Sequence, residues 1–173
     1  IISCYNEEAQ IAEKIQNTLQ LDYPQEQMEI IVISDGSTDR TVKIAKQYES
    51  NRVRVVDEPA RQGKTAVQNQ AVEQAKNEFI IFSDADVMYQ QDAVRKLVRH
   101  FSNDSVAGVG GEVLFTTDVR SSVSPQENLF RRYEKYIKCL ENQFGNLIGF
   151  TGAIYAVRKS VYIPLSGDRK SVV

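Results

Sequence analysis

The stretch "MEIIVISDGSTDRTVKIAKQYES", residues 28–50, contains the elements that decide the fold. Its first part is a continuous apolar run, which predicts a strand buried on both faces. "DGSTD" is typical of a turn, and the residues after it place Val42, Ala45 and Tyr48 on one face of a helix. A buried strand followed at once by a helix predicts one unit of a parallel α/β sheet.

The same alternation extends in both directions from this stretch. Upstream, a strand ending at residue 2 precedes a helix with Ile11, Ile15 and Leu19 at four-residue spacing, and Asn6 is placed to cap that helix. Downstream, the predicted strands cover residues 53–58 and 106–115 and an apolar run from residue 79 that ends on Asp84 and Asp86. The predicted helices cover residues 64–76, 91–102 and 125–145. Residues 149–162 predict a loop, a strand and a short helical turn. The fold class is therefore α/β with a mostly parallel central sheet.

The composition is that of an ordinary globular protein and disfavours several classes of function. The chain has 173 residues, of which 42% are hydrophobic and 25% charged, and this length predicts a single domain over residues 1–173. A net charge of −2 from interspersed residues offers no footprint for nucleic acid, and the apolar runs are too short to cross a bilayer. Cys4 and Cys139 lie far apart and are expected to be reduced thiols. The first and last residues, "IISCYNEE" and "GDRKSVV", indicate a fragment truncated at both ends.

Polar loops follow the predicted strands at the edge where ligands bind in open parallel sheets. These loops are "SCYNEE", "SDGSTD", "EPARQGKT" and "SDAD". In the last of them, Asp84 and Asp86 flank one small residue and can reach the same side of the loop. Two like charges held together need a cation, and carboxylate oxygens suit Mg²⁺ or Mn²⁺. The alternative is that Asp84 caps the next turn and Asp86 is only solvated.

Two further side chains at this edge fit a nucleotide. Lys64 follows Gly63 at the start of a predicted helix, where the helix N-terminus attracts anions, so Lys64 would meet a phosphate; the alternative is a surface lysine. Asp35 can accept an N–H from a planar heterocycle such as uracil, with Ser3 and Tyr5 lining the same pocket, or it can form an Asx-type turn. The residues alone support a nucleotide-like ligand with a divalent metal.

In their order and spacing, "SCYNEE", "VISDGSTDRT", "RQGKTAVQNQA" and "FSDAD" resemble family 2 glycosyltransferases with the GT-A fold. "GFTGAIYAVRKSVY" is similar to the family segment that follows the acceptor-side helix, so the resemblance covers nearly the whole chain. It implies a Rossmann-like, three-layer α/β/α fold. It also implies transfer of a sugar from a nucleotide donor, most often UDP-linked, to a saccharide, lipid-linked or other hydroxyl acceptor, usually with inversion.

The resemblance assigns roles to residues at the nucleoside end of the donor. Ser3, Tyr5 and Glu7 would border the nucleoside, and Asp35 would meet the uracil. Ser34 stands where many members have another aspartate, which would weaken the hydrogen bonding around Asp35.

At the diphosphate end, the resemblance assigns Lys64, Asp84 and Asp86. Lys64 would approach the diphosphate, and Asp84 would be oriented toward the ribose and the donor sugar. Asp86, with Asp84 as the second candidate ligand, would bind Mn²⁺ or Mg²⁺ on the diphosphate. That ion would offset the repulsion between the two carboxylates and would act as a Lewis acid on the departing nucleoside diphosphate.

The resemblance leaves the catalytic base unassigned. Inverting members use a further carboxylate, downstream of the segment resembled by "YAVRKSVYIPL", to deprotonate the acceptor. Asp168 is the only acid in the remaining tail and lacks an acidic neighbour, so the base is expected beyond Val173. The chain has no tryptophan, so the Gln-x-x-Arg-Trp motif of processive synthases is absent from it. Members often act at the cytoplasmic face of the membrane, which implies a cytoplasmic location and membrane association through a longer parent chain.

Two other hypotheses compete with that of a glycosyltransferase. A P-loop NTPase is suggested by "GKT" at a helix start and by "FIIFSD", which imitates a Walker B strand. However, Glu58 stands where the Walker A motif needs glycine, and Pro59 removes a backbone donor. A non-catalytic nucleotide-binding module is the other reading, if the base and the acceptor wall lie beyond Val173.

Overall fold

The predicted alternation of strands and helices is present in the computed structural model, which describes residues 1–112 and 153–165. The strands are β1 (Ile2–Cys4), β2 (Ile30–Asp35), β3 (Val53–Glu58), β4 (Phe79–Asp84), β5 (Gly108–Gly110) and β6 (Ile154–Arg158). The helices are α1 (Ile11–Leu19), α2 (Thr41–Ala45), α3 (Lys64–Gln74) and α4 (Ala93–Val98). Short 3-10 turns follow α2, α4 and β6.

The strands of the described residues form one sheet in the order β3-β2-β1-β4-β6-β5. β3, β2, β1 and β4 are parallel, whereas β6 runs antiparallel to both β4 and β5. This confirms the predicted α/β class with a mostly parallel sheet. Ser3 pairs with Ile33 on one side and with Asp84 on the other, so the carboxyl ends of β1, β2 and β4 meet at one edge. The loops predicted to hold the site leave the sheet at this edge.

Helices cover both faces of the sheet, which is why β2 is apolar without alternation. Ile30 and Val32 belong to a buried cluster with Ile11 and Ile15 of α1. Ile31 and Ile33 point the other way and pack with residues of α3, as predicted for Val67, Ala71 and Ala75. A third cluster joins α4 to β6 through Val94, Leu97, Ile154 and Ala156. The result is the predicted three-layer arrangement.

Several predicted boundaries and caps differ in the structure. β1 extends to Cys4 because its pairing with β2 continues to Ser34. Asn6 does not cap α1, which begins at Ile11; Asn6 has a φ of 54°. α3 ends at residue 74 rather than 76, and the segment at 91–102 is α-helical only over residues 93–98. β4 ends at Asp84, the first of the two acids predicted to end it.

The second half of the chain is described in part. The predicted strand and helical turn within residues 149–162 are present as β6 and a turn at Lys159–Val161. The predicted helix at residues 125–145, Cys139 and Asp168 lie outside the described residues. Cys4 is buried with a free thiol. Within residues 1–112 and 153–165, none of the helices has the length and apolar character needed to span a membrane.

Candidate functional site

The loops after β1 and β2 are hydrogen-bonded side by side at the carboxyl edge. The Asn6 backbone N–H donates to Ser37 Oγ at 3.1 Å, and Asn6 Oδ1 accepts the Thr38 N–H at 2.8 Å. The Glu7 N–H donates to Thr41 Oγ1 at 2.7 Å. Asn6 therefore joins two loops instead of capping its own helix. Because the Glu8 N–H also donates to Asp39 Oδ2 at 3.2 Å, the backbone is held on both sides of Glu7.

Asp35 ties the end of β2 to the loop that precedes α3. Asp35 is only 5% exposed, and its carboxylate accepts the Gln62 N–H at 2.6 Å and the Gly63 N–H at 3.0 Å. A buried carboxylate needs such donors to offset its desolvation. The turn itself is closed by Ser34, whose Oγ accepts the Ser37 N–H at 3.2 Å, so the Asx-type turn considered for Asp35 is not formed. The predicted contact between Asp35 and uracil stays a prediction.

Gly36 lets the loops after β2 and β3 approach closely. Its φ is +69°, and a Cβ built there would lie 2.7 Å from the backbone nitrogen of Arg61 and 2.8 Å from the carbonyl carbon of Ala60. Neither backbone atom can move away without shifting the loop. Glycine is therefore required at this position for two reasons, the left-handed conformation and the close contact with the neighbouring loop.

We expect Gly36→Ala to lower the free energy of unfolding by about 2 kcal/mol, because it adds left-handed strain and a backbone clash. Urea denaturation measures this effect. Gly63→Ala reports backbone strain without a close contact, since Gly63 has a φ of +92° and a ψ of 148°, a region that favours glycine, but no atom within 4 Å of a built Cβ. A loss below about 1 kcal/mol for Gly36→Ala would contradict the close-contact argument.

Arg61 is a site candidate that the sequence reasoning did not single out. Its guanidinium lies over the Tyr5 ring at 4.0 Å from the centroid, and its Nε lies 4.0 Å from Asp35 Oδ2. Cations over an aromatic face are attracted by the ring electrons. The sequence feature that could have identified Arg61 is its place as a second basic residue in the loop after β3, the loop that also leads to Lys64. The pair presents two flat groups beside Asp35, an exposed guanidinium and a half-buried ring.

Asp84, the last residue of β4, and Asp86, two residues after it, differ in their exposure. Asp84 is half-buried, Asp86 is exposed, and Ala85 between them is buried in the core. The small central residue thus anchors the loop inward, while both acids remain at the edge. Lys64 Nζ contacts the Asp84 carboxylate, so the structure brings together the lysine and the first aspartate of the predicted diphosphate site.

Glu7 joins the negative charge of this loop. The pKa of its carboxyl is raised, first by burial and then by the negative charges of Asp86, Asp39 and Asp84. Such a cluster attracts a cation. Among the described residues, no group of three or more Asp, Glu, His or Cys side chains is arranged to hold a metal. One or two carboxylates that share an ion with ligand phosphates fit this arrangement.

Ser3 is the predicted site residue that the structure places away from the edge surface. Its side chain is 8% exposed, and its hydroxyl accepts a hydrogen bond from Gln68 Nε2 at 3.4 Å. The hydroxyl therefore faces α3 beneath the loops. The predicted contact of Ser3 with a nucleoside stays a prediction.

The family model described as "Glycosyl transferase family 2" matches residues 1–165. The chain belongs to glycosyl transferase family 2. This confirms the resemblance seen in "SCYNEE", "VISDGSTDRT", "RQGKTAVQNQA" and "FSDAD", and with it the prediction of a glycosyltransferase enzyme.

A curated relative of this family 2 chain is the poly-β-1,6-N-acetyl-D-glucosamine synthase of Staphylococcus aureus strain COL. The two are 37% identical over 109 residues, which are 62% of this chain and 26% of the synthase. The chain thus spans about a quarter of the length of this relative.

Solved structures confirm the GT-A fold of the family 2 chain. A mannosyltransferase from Pyrobaculum calidifontis, in complex with GDP-Man and Mn²⁺, superposes with a TM-score of 0.75 at 23% identity, covering 91% of this chain and 43% of that one. Residues 1–349 of S. aureus TarS, in complex with UDP-GlcNAc, superpose with a TM-score of 0.57 at 22% identity, covering 69% and 37%. At these identities the likeness shows the fold alone.

The loop geometry of this family 2 chain also argues against a P-loop NTPase. A P-loop cradles phosphates with successive backbone N–H groups before its helix. Here the N–H groups of Gln62 and Gly63, directly before α3, are donated to Asp35. They are not directed at a ligand outside the loop.

Proposed function

We propose that this chain binds the donor of a metal-dependent, inverting glycosyltransferase that moves a sugar from a UDP-linked donor to an acceptor hydroxyl. Membership of family 2 supports a nucleotide-sugar glycosyltransferase. The observation that supports the site most strongly is the group formed by Asp84, Asp86 and Lys64 beside the loop anchored by Asp35.

The diphosphate end of the donor is assigned to Lys64, Asp84 and Asp86. The Lys64 ammonium exchanges part of its contact with Asp84 for a phosphate oxygen, and Asp86, being exposed, offers a carboxylate oxygen to Mn²⁺ or Mg²⁺. A bound divalent ion would stabilise the negative charge that develops on the departing nucleoside diphosphate. Asp84 then faces both Lys64 and the donor, as the family pattern implies.

The nucleoside end is assigned to Tyr5, Asp35 and Arg61. Tyr5 and Arg61 supply stacked planar groups, and Asp35 supplies the carboxylate beside them. The choice of UDP is supported by the TarS complex with UDP-GlcNAc, whereas the mannosyltransferase complex contains GDP-Man. GDP is therefore included in the test below.

A saccharide acceptor is supported by the similarity to the poly-β-1,6-N-acetyl-D-glucosamine synthase. A catalytic base beyond Val173, the cytoplasmic location and membrane association through a longer chain stay predictions. If the base does lie there, this chain binds donor without efficient transfer, which keeps the non-catalytic module as the second candidate function.

Calorimetric titration of the purified chain tests the proposal with UDP, GDP and ATP, each in Mn²⁺ and in EDTA. We expect UDP to bind in Mn²⁺ and to bind about 100-fold more weakly in EDTA, because the ion neutralises charge between the acids and the diphosphate. ATP should not compete with UDP. Binding of ATP in preference to UDP would overturn the assignment. A transfer assay on the same sample separates the enzyme from the binding module, since robust transfer would refute the missing base.

A further inference from the structure

Helix α1 contains a lysine in the middle of its buried stripe. Lys14 is 0% exposed and lies between the core residues Ile11 and Ile15. Lysine is almost never fully buried unless it is paired, because removing an ammonium from water is costly. A methionine would fill a similar volume without that cost, so core packing alone does not account for the lysine.

The contacts of Lys14 lead to the segment that follows the paired acids. Its Nζ donates to the Val87 carbonyl and lies 3.6 Å from the centroid of the Tyr89 ring. Asn17, on the next turn of α1, accepts the Tyr89 N–H at 2.7 Å and donates to the Tyr89 carbonyl at 2.9 Å. Lys14 and Asn17, together called the α1 clamp, thus bind three backbone groups of residues 87–89.

The α1 clamp also places a titratable amine near the acid pair, and the protonated form of this amine is attracted by the two carboxylates. Burial lowers the pKa of Lys14 to about 7, and the negative charges of Asp84 and Asp86 oppose this shift. The lysine therefore interacts electrostatically with both carboxylates from behind the loop. The other group on its face of α1, Asn17, is neutral and acts only through hydrogen bonds.

We propose that Lys14 and Asn17 are positioning residues that hold the Asp84–Tyr89 loop in the shape in which both carboxylates face the diphosphate. This inference rests on the proposed function, because it concerns the same donor site. It adds two residues, neither of which touches the donor, to the machinery that aligns the acids. Groups that orient metal ligands typically alter metal affinity strongly when they are removed.

The test compares Lys14→Met and Asn17→Ala with Gln16→Ala. Gln16 is the matched control because it is exposed on α1 and bonds the Tyr48 hydroxyl, on a different element from the loop. Two quantities are measured for each variant: the hydrogen-exchange rates of the amides of residues 85–89 without ligand, and the dissociation constant of UDP in Mn²⁺ and in EDTA.

For both clamp variants we expect the loop amides to exchange about tenfold faster, since local opening becomes easier. We also expect the Mn²⁺-dependent tightening of UDP binding, which is the ratio of the dissociation constant in EDTA to that in Mn²⁺, to fall about tenfold. Metal-free UDP binding should stay within about twofold of wild type, which a general loss of structure would not allow. Gln16→Ala should match wild type in every measurement.

The inference is overturned if the clamp variants match wild type in loop hydrogen exchange and in the Mn²⁺-dependent tightening of UDP binding. It is also overturned if these variants lose as much UDP affinity in EDTA as in Mn²⁺. If Lys14→Met does not fold, Asn17→Ala decides by the same two readouts, because it removes no buried charge. Failure of the proposed function is separate: wild-type protein that shows no Mn²⁺-dependent tightening overturns that function and the clamp's role together.

Discussion

Replacing Asp86 with alanine should remove the proposed Mn²⁺-dependent part of UDP binding and leave the protein folded. Asp86 is exposed and outside the core, so its truncation should change the free energy of unfolding little. Of the two paired acids it has the freer access to an ion, since Asp84 already contacts Lys64. We expect the dissociation constant for UDP in Mn²⁺ to rise about 100-fold, because a hard oxygen ligand is lost.

Calorimetric titration in Mn²⁺ and in EDTA checks this expectation. In EDTA, Asp86→Ala should bind UDP as wild type does, or slightly better, since one negative charge near the diphosphate is gone. Asp86→Asn keeps an oxygen ligand without its charge. Its dissociation constant for UDP in Mn²⁺ should therefore lie between those of wild type and Asp86→Ala. Asp22→Ala is the matched control, because Asp22 is an exposed aspartate that pairs with Arg95 beyond the end of α1. A variant at Asp86 that keeps full metal dependence would remove the main support for the proposed site.

The sequence was sufficient to bring the candidate site residues to one edge of the sheet because two rules of α/β sheets apply here directly. A continuous apolar run has to be a strand covered on both faces, and ligands gather at the carboxyl ends of such strands. Asp35 and Asp84 are the last residues of β2 and β4, and both were placed at this edge from the pattern alone. The grouping of Lys64 with Asp84 followed from the same rule.

What the sequence did not predict depends on contacts between loops. Asn6 bonds the loop after β2, and Asp35 bonds residues 62 and 63; both choices arise only when separate loops pack together. A local pattern instead favours the nearest helix or turn as partner. For Lys14 a signal existed: it occupies the helical stripe of Ile11, Ile15 and Thr18, all of which are buried. A charged residue in such a stripe indicates a specific partner.

Replacing Asp35 with alanine should damage both stability and donor binding, in contrast to Asp86. The carboxylate is buried and accepts the N–H groups of Gln62 and Gly63, so its removal leaves two donors without a partner. We expect the free energy of unfolding to fall by about 3 kcal/mol, as for the loss of one member of a buried charged hydrogen-bonded group. The loop that supplies Arg61 and Lys64 would lose its anchor, so UDP binding should weaken at least about tenfold with or without Mn²⁺.

The comparison of metal conditions separates the two aspartates, because a metal ligand acts only in Mn²⁺ whereas a loop anchor acts in both conditions. Glu58→Ala is the matched control: Glu58 accepts a hydrogen bond from Gln62 Nε2 at 2.7 Å at the surface of the same loop, and its loss should cost less than about 1 kcal/mol. Urea denaturation and titration of Asp35→Ala, Asp35→Asn and Glu58→Ala check these values. Unchanged stability of Asp35→Ala would show that the loop before α3 is held by other contacts, and a binding loss confined to Mn²⁺ would assign Asp35 to the metal site instead of to the loop.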